Sequence, residues 1–263
     1  MESLSEQQFR LLEEKYENGT ATSDDLQALE PYRAKRAVLL ASGFGSRMLP
    51  ITINKPKPLV NVNGKRIIET ILDALLAIDV TEIYIVTGYL KEQFRLLLDD
   101  YPTITLLENP IYDSTNNISS ACVARNFFQN AYVFESDLFL SNPALLKKYR
   151  FQSCYMGVPV EETPDWCLDV ENGRVVDLHK GGRNTNHMYG ISYWTAEDGA
   201  KLAVDLPECF EQNDENKQRF WDDVPCVLRN DRYDIAVETC TFDDVAEIDS
   251  FAELQEIDPR YRV

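Results

Sequence analysis

Residues 41–60, ASGFGSRMLPITINKPKPLV, bring two glycines, Arg47, Lys55 and Lys57 together with three prolines and no acidic residue. Glycines let backbone N–H groups approach a bound oxyanion closely. A guanidinium presents a planar fork that matches phosphate oxygens, and prolines stiffen the backbone on either side of the lysines. The chemistry such a segment suits is the binding of a short polyphosphate. Its surroundings point the same way. No Asp or Glu occurs between Glu30 and Glu69, yet eight of the 26 Lys and Arg lie there, in a chain of formal charge −18. Taken alone, Gly43-x-Gly45 is equally well a plain strand-to-loop turn. The segment lacks the G-x-x-x-x-G-K-[ST] of a P-loop, and Met48 stands where a dinucleotide fingerprint needs its third glycine.

The overall charge argues against partners with anionic surfaces, so neither nucleic acid nor a membrane is expected. No apolar run approaches the roughly 18–20 residues of a membrane helix, and the acidic N-terminus has no apolar core of a secretion signal. The six cysteines are scattered without a C-x-x-C pair, and only His179 and His187 could join them on zinc. A reduced, cytoplasmic protein with packed cysteines is the expectation.

The elements that must position the loop are short and alternate in type. RAVLLAS, EIYIVTG, TITLLEN and AYVFESD read as buried strands. Between them RIIETILDALLAIDV, YLKEQFRLLLDDY and NISSACVARNFFQ have helical spacing. Alternation of this kind predicts an α/β fold: a mixed, mainly parallel central sheet in a Rossmann-like three-layer α/β/α arrangement. Ligands of such sheets bind beyond the carboxyl ends of the strands. Those ends carry the Gly43 loop, Gly88-Tyr89, Glu108-Asn109 and Glu135-Ser136-Asp137. After residue 150, SCYMGVPV, WCLDVENGRVVDLHK and MYGISYWT read as strands with a hairpin turn at Asn172-Gly173. AEDGAKLAVDL and QRFWDDVPCVLRN read as helices, the second broken or bent at Pro225. Residues 1–34 form a separate helical extension with a stop at Gly19. It is suited to packing on the body, to forming a homodimer or to another partner. The main domain is expected over 35–263, in two halves, 35–150 and 151–263.

AVLLASGFGSRMLPITINKPKPLVNVNGKRIIE resembles the signature of the sugar-nucleotide and cytidylyl transferases. Gly43, Gly45, Arg47, Pro50, Thr52, Pro56 and Lys57 match that pattern, whereas Ser42 replaces Ala and Arg66 stands where Pro is usual. VTGYLKEQF, NNISS, ESD, PDWCLDV, GISYW, FWDD and EIDS are similar, in order and rough spacing, to the bacterial CTP:phosphocholine cytidylyltransferases. The resemblance spans about residues 35–258 and leaves out the N-terminal extension. It implies the nucleotide-diphospho-sugar transferase fold and attack of a phosphate monoester on the α-phosphorus of CTP, with pyrophosphate leaving.

It also implies roles. Leu40, Ala41, Ser42, Gly43 and Gly45 would cradle the nucleotide; Arg47 would hold the β and γ phosphates, and Lys57 the charge developing near the α-phosphate. Lys180 falls where relatives place a lysine for the acceptor phosphate, although it reads equally as an exposed hairpin lysine. Tyr89, Asn116, Asn117 and Ser119 would contact base and ribose, or the asparagines simply cap a helix. Asp137 would hold Mg²⁺ with Asp249, Asp222 being the second choice of partner. Glu135 stands where many choline relatives carry Asp and is not counted. Trp166, Tyr189, Trp221 and Asp222 would form a cage for a quaternary ammonium, against the commoner role of such aromatics in a core. The implied partners are CTP and a small phosphorylated amino alcohol, phosphocholine first. Phosphoethanolamine, 2-aminoethylphosphonate and a sugar 1-phosphate are the alternatives, and the primary ammonium of the first two would prefer carboxylates to an aromatic cage. A cell-surface polymer would be the product's destination.

Overall fold

The structure, a computed structural model, describes residues 3–262. Strand β1 (Arg36–Ala41) is flanked by β2 (Glu82–Thr87) and β4 (Ala131–Glu135), and β2 by β3 (Ile104–Glu108), all parallel. The sheet continues antiparallel through β7 (Arg174–Trp194) and β6 (Cys154–Glu171), and closes with β8 (Ala236–Thr239) parallel to β6. The resulting seven-stranded order is β8-β6-β7-β4-β1-β2-β3. Because β7 pairs with β4, residues before and after 150 share one sheet.

Alternation along β1 explains why both faces are covered. Ala37, Leu39 and Ala41 face helix α3 (Ile67–Ala77) through Ile68, Ile71 and Leu75. Val38 and Leu40 face the opposite layer, built from α4 (Ile118–Ala124) and α5 (Ala196–Gln212) through Ile118, Ala121, Leu202 and Leu206. The three-layer α/β/α architecture is therefore the one expected.

Three elements differ from the sequence reading. The three strands expected after residue 150 are two long ones, β6 and β7, meeting at Asn172 (φ 52°) and Gly173 (φ 81°), the left-handed pair a tight hairpin needs. The helix expected over 89–101 is a 3₁₀ stretch, Lys91–Leu96, followed by one α turn, Leu97–Asp100. Its buried Phe94 and Leu97 are three apart, the repeat of the tighter helix. QRFWDDVPCVLRN is not one helix but a π turn, Val224–Leu228, between the 3₁₀ turns Asn216–Gln218 and Asn230–Arg232; Pro225 has no N–H and fits only the first turn of the π segment.

The chain's two ends pack differently. Helices α1 (Glu6–Glu17) and α2 (Ser23–Leu29) set Phe9 and Leu29 against Tyr149, with Tyr32 and Phe151 alongside. At the other end, helix α6 (Phe251–Ile257) joins Ile248 and Leu254 to Met48, Val60 and Ile67. The short strand β9 (Val245–Glu247) pairs antiparallel with β5 (Leu138–Leu140), and the Ile248 N–H donates to the Asp137 carbonyl at 3.1 Å. That pairing carries a late loop to the carboxyl end of β4.

Candidate active site

The parallel strands deliver their carboxyl ends to one edge, and the glycine loop folds back over it. Gly45 has φ 62°, and a Cβ there would lie 3.0 Å from the Lys57 Cβ, so only glycine lets the two limbs of the loop meet. Thr52 Oγ1 donates to the Gly45 carbonyl at 2.8 Å. A cavity of about 310 Å³ opens along this edge. Leu40, Ala41, Ser42, Gly43 and Gly45 form one wall; Asn116 and Asn117 lie on another. Arg47, Lys57, Asp137 and Asp249 line its charged end.

A second cavity, about 170 Å³, adjoins that end and shares Arg47, Glu135, Asp137, Phe220 and Asp249 with the first. Trp166, Lys180 and Asp222 line it, together with Asp165 and Glu247. Trp166 and Lys180 are cross-strand neighbours in the β6–β7 hairpin, which is how residues 14 positions apart reach one pocket.

Charges at the junction are tightly interlocked. Lys57 Nζ donates to Asp137 Oδ2 at 2.9 Å and to Asp249 Oδ1 at 2.8 Å. Arg47, whose side chain is 69% exposed, reaches Asp249 Oδ2 at 2.7 Å. Burial acts to lower the Lys57 pKa, but the two carboxylates outweigh it and the net shift is upward. Burial likewise pushes Asp249 up, and the attraction of Lys57 and Arg47 more than reverses it. Glu247, whose nearest charges are carboxylates, is pushed up to about 8, first by burial and then by Asp137 and Asp249. Burial raises Asp222 to about 7 even though Tyr155 donates to its Oδ1 at 2.7 Å.

Asp137, Glu247 and Asp249 each offer an oxygen within 4.8 Å of the others. Asp137 Oδ1 is buried without a hydrogen-bond partner. A hard-oxygen set with one orphaned carboxylate oxygen fits a divalent cation such as Mg²⁺.

Four expected site residues lie elsewhere. Trp221 is 2% exposed among Phe128, Tyr155 and Trp194. Tyr189 is buried, and its hydroxyl donates to the Val245 carbonyl at 2.8 Å. Both are core residues, so neither offers a ring to the second cavity. Tyr89 stacks on Phe44 at 4.1 Å, and its hydroxyl bonds the Thr52 and Ile53 carbonyls. It braces the glycine loop from behind. Ser119 lies under the floor, bonded to Asn109 and to the Asn116 carbonyl. Asn117 sits at the N-cap position of α4 but makes no side-chain cap. Its Oδ1 accepts from the Trp221 N–H at 2.8 Å, and its Nδ2 donates to Glu135 at 2.9 Å.

Other lining residues escaped the sequence reading or, like Glu135, were set aside in it. Glu247 is two residues before Asp249, the spacing that puts strand side chains on one face, and that was the available signal. Tyr112 reaches the first cavity from the loop after β3 and lies across Gly88, where a Cβ would meet its ring at 2.5 Å. Glu135 and Phe220 line both cavities.

The nucleotidyl transferase family matches residues 36–153. A 2-aminoethylphosphonate cytidylyltransferase from Lancefieldella rimae is 38% identical over 231 residues, spanning 86% of this chain and 92% of that one. The chain belongs to the nucleotidyl transferase family, among its cytidylyltransferases. A choline-phosphate cytidylyltransferase from Haemophilus influenzae is 31% identical over 84% of this chain and 95% of its own. In fold, the enzyme superposes on a solved CTP:phosphocholine cytidylyltransferase from Streptococcus pneumoniae with a TM-score of 0.76 at 29% identity, covering 88% and 100% of the two chains. No helix among the described residues is long and apolar enough to cross a membrane.

Proposed function

We propose that this cytidylyltransferase joins CTP to a small phosphonate or phosphate bearing a primary amine, 2-aminoethylphosphonate first. The observation that carries the choice is the make-up of the second cavity. It has one indole face, Trp166, with Phe220 set edge-on at 5.2 Å, and four carboxylates in Glu135, Asp165, Asp222 and Glu247 beyond the Asp137–Asp249 pair. A quaternary ammonium gains its binding from several aromatic faces. A primary ammonium has three N–H donors and gains from carboxylates that accept them. With Tyr189 and Trp221 in the core, the balance moves from the cage expected for phosphocholine to the acidic pocket. The Lancefieldella relative supports the same choice. Phosphocholine remains the second reading, favoured by the Trp166–Phe220 wall.

The reaction forms a bond from an acceptor oxygen to the α-phosphorus of CTP and breaks the bond to pyrophosphate. The acceptor needs no general base: a phosphonate already carries an anionic oxygen at neutral pH, and a phosphate monoester, with a second pKa of about 6, is largely dianionic there. The protein's task is alignment and cation density. In this reading the nucleotide occupies the larger cavity, with Asn116 toward the base and Arg47 on the outer phosphates, while Asn117 is held by Trp221 and Glu135. Lys57 faces the α-phosphate, Lys180 the acceptor's anionic end, and Trp166 with Asp222 its ammonium. Asp137, Asp249 and Glu247 would hold Mg²⁺, which supplies charge neutralisation at the phosphates.

Initial rates of pyrophosphate release test this. CTP and UTP are paired with 2-aminoethylphosphonate, phosphoethanolamine, phosphocholine and glucose 1-phosphate. The highest kcat/KM is expected for CTP with 2-aminoethylphosphonate. A clear preference for phosphocholine would favour the second reading, and preference for the sugar phosphate would overturn both.

A further inference from the structure

Glu135 is the one side chain of the β4 terminus, besides Asp137, that borders both cavities. Two features fix it. Its carboxylate accepts from Asn117 Nδ2 at 2.9 Å, and Asn117 is itself held by the Trp221 N–H. Its methylenes lie over Gly190 of β7, where a Cβ would come within 2.6 Å of the Glu135 Cγ. Among the described residues, Asn117 alone donates a hydrogen bond to it and no salt bridge reaches it. A carboxylate clamped by an amide on one side and seated over a glycine cannot swing away. It stands as a partition, with acceptor capacity left over, at the inner end of the smaller cavity.

We infer that Glu135 is the residue that selects a primary over a quaternary ammonium in the acceptor. This rests on the amine-acceptor reading above and goes one step further, to the group that discriminates. A primary ammonium donates a hydrogen bond to the free acceptor capacity of Glu135. A trimethylammonium has no N–H to give, leaves that carboxylate desolvated and unpaired, and must fit its methyl groups against a side chain that Gly190 and Asn117 hold in place. A site built around a hydrogen bond rejects an analogue that lacks the donor far more strongly than a purely apolar site rejects added bulk. Asn117 acts through Glu135 and is a positioning residue.

The test uses two acceptors that differ only in N-methylation, 2-aminoethylphosphonate and its N,N,N-trimethyl derivative, with CTP. The native enzyme is compared with Glu135→Asp, which withdraws the carboxyl group by one methylene, and Glu135→Gln, which keeps shape and the Asn117 bond but turns the free acceptor oxygen into an amide donor. The native enzyme is expected to favour the primary amine by at least about 100-fold in kcat/KM. Either substitution is expected to shrink that ratio by about tenfold or more, mainly by raising the KM of the primary amine, with a smaller change in the KM for CTP. A KM confined to one substrate separates this from general damage. Titration calorimetry of the primary amine phosphonate against each variant gives a readout that needs no turnover. Should the native enzyme favour the trimethyl compound, or use neither, the amine reading itself fails and the inference with it. Should the native preference stand but survive both substitutions unchanged, in rate and in binding, the amine reading holds and the assignment to Glu135 is overturned.

Discussion

Lys57 satisfies two carboxylates at once, and its removal would leave Asp137 without its ion-pair partner and Asp249 with Arg47 alone. Loss of one preorganised charge at a reacting phosphate costs on the order of 10²–10³ in kcat. Lys57→Ala is expected to lose that much while keeping a native circular dichroism spectrum; full turnover in the variant would refute the role. Asp222 gives a pH-dependent prediction. Its pKa is raised to about 7, chiefly by burial, so its carboxylate forms as pH rises through neutrality. The KM for an aminated acceptor should therefore fall between about pH 6 and 8. Ionisation of the acceptor itself contributes in the same range, so the informative quantity is the difference from Asp222→Asn, in which the Asp222 part of the step is lost. Identical profiles would remove Asp222 from ammonium binding. Residues legible in the sequence were those whose neighbours give them away: Arg47 and Lys57 in a glycine- and proline-rich run, Asp137 after a buried strand. Trp221 was not, because its acidic neighbours say nothing of which way a ring turns. The indole enters the core while Asp222, next in the chain, faces the cavity.

At the scale of elements, the site depends on a loop whose two limbs touch through Gly45. Gly45→Ala places a Cβ at φ 62° and 3.0 Å from the Lys57 Cβ. An L-residue in that conformation costs about 1–2 kcal/mol, and Lys57 must shift. The expected result is a lower midpoint of thermal unfolding with a raised KM for CTP; an unchanged KM would mean that the loop tolerates displacement. Parallel strands and their helices were legible because apolar runs and 3.6-residue periodicity are local properties. The β6–β7 hairpin was less so. Register irregularities between Thr163 and Trp166 and around Cys167 break the two-residue alternation, and two strands of 18 and 21 residues read as three shorter ones. The pairing of β9 with β5, which delivers Asp249 and Glu247, joins segments about 100 residues apart and left no local trace.

At the scale of the whole molecule, the N-terminal helices rest on an aromatic cluster away from both cavities. Phe9 is fully buried, tilted against Tyr32 at 5.2 Å and Phe151 at 5.4 Å. Truncating a buried phenylalanine costs about 3–5 kcal/mol. Phe9→Ala should undock the helices and speed limited proteolysis in the turn around Gly19, with kcat/KM nearly unchanged. A large loss of activity would show that the extension communicates with the site. The acid-free stretch divides in the fold: Arg47 and Lys57 line the cavities, whereas Arg33, Lys35 and Arg36 pair with Glu30 and Glu82 around the start of β1, and Lys65 and Arg66 pair with Asp73 and Glu69. The claim on which everything rests is that this edge joins an amine-bearing phosphonate to CMP. Phosphorus NMR of CTP incubated with 2-aminoethylphosphonate, Mg²⁺ and the enzyme tests it directly. The account predicts a new pair of coupled resonances from a phosphonate–phosphate anhydride, growing in step with inorganic pyrophosphate. A spectrum in which the phosphonate signal stays unchanged, while the same enzyme consumes CTP with another acceptor, would contradict it.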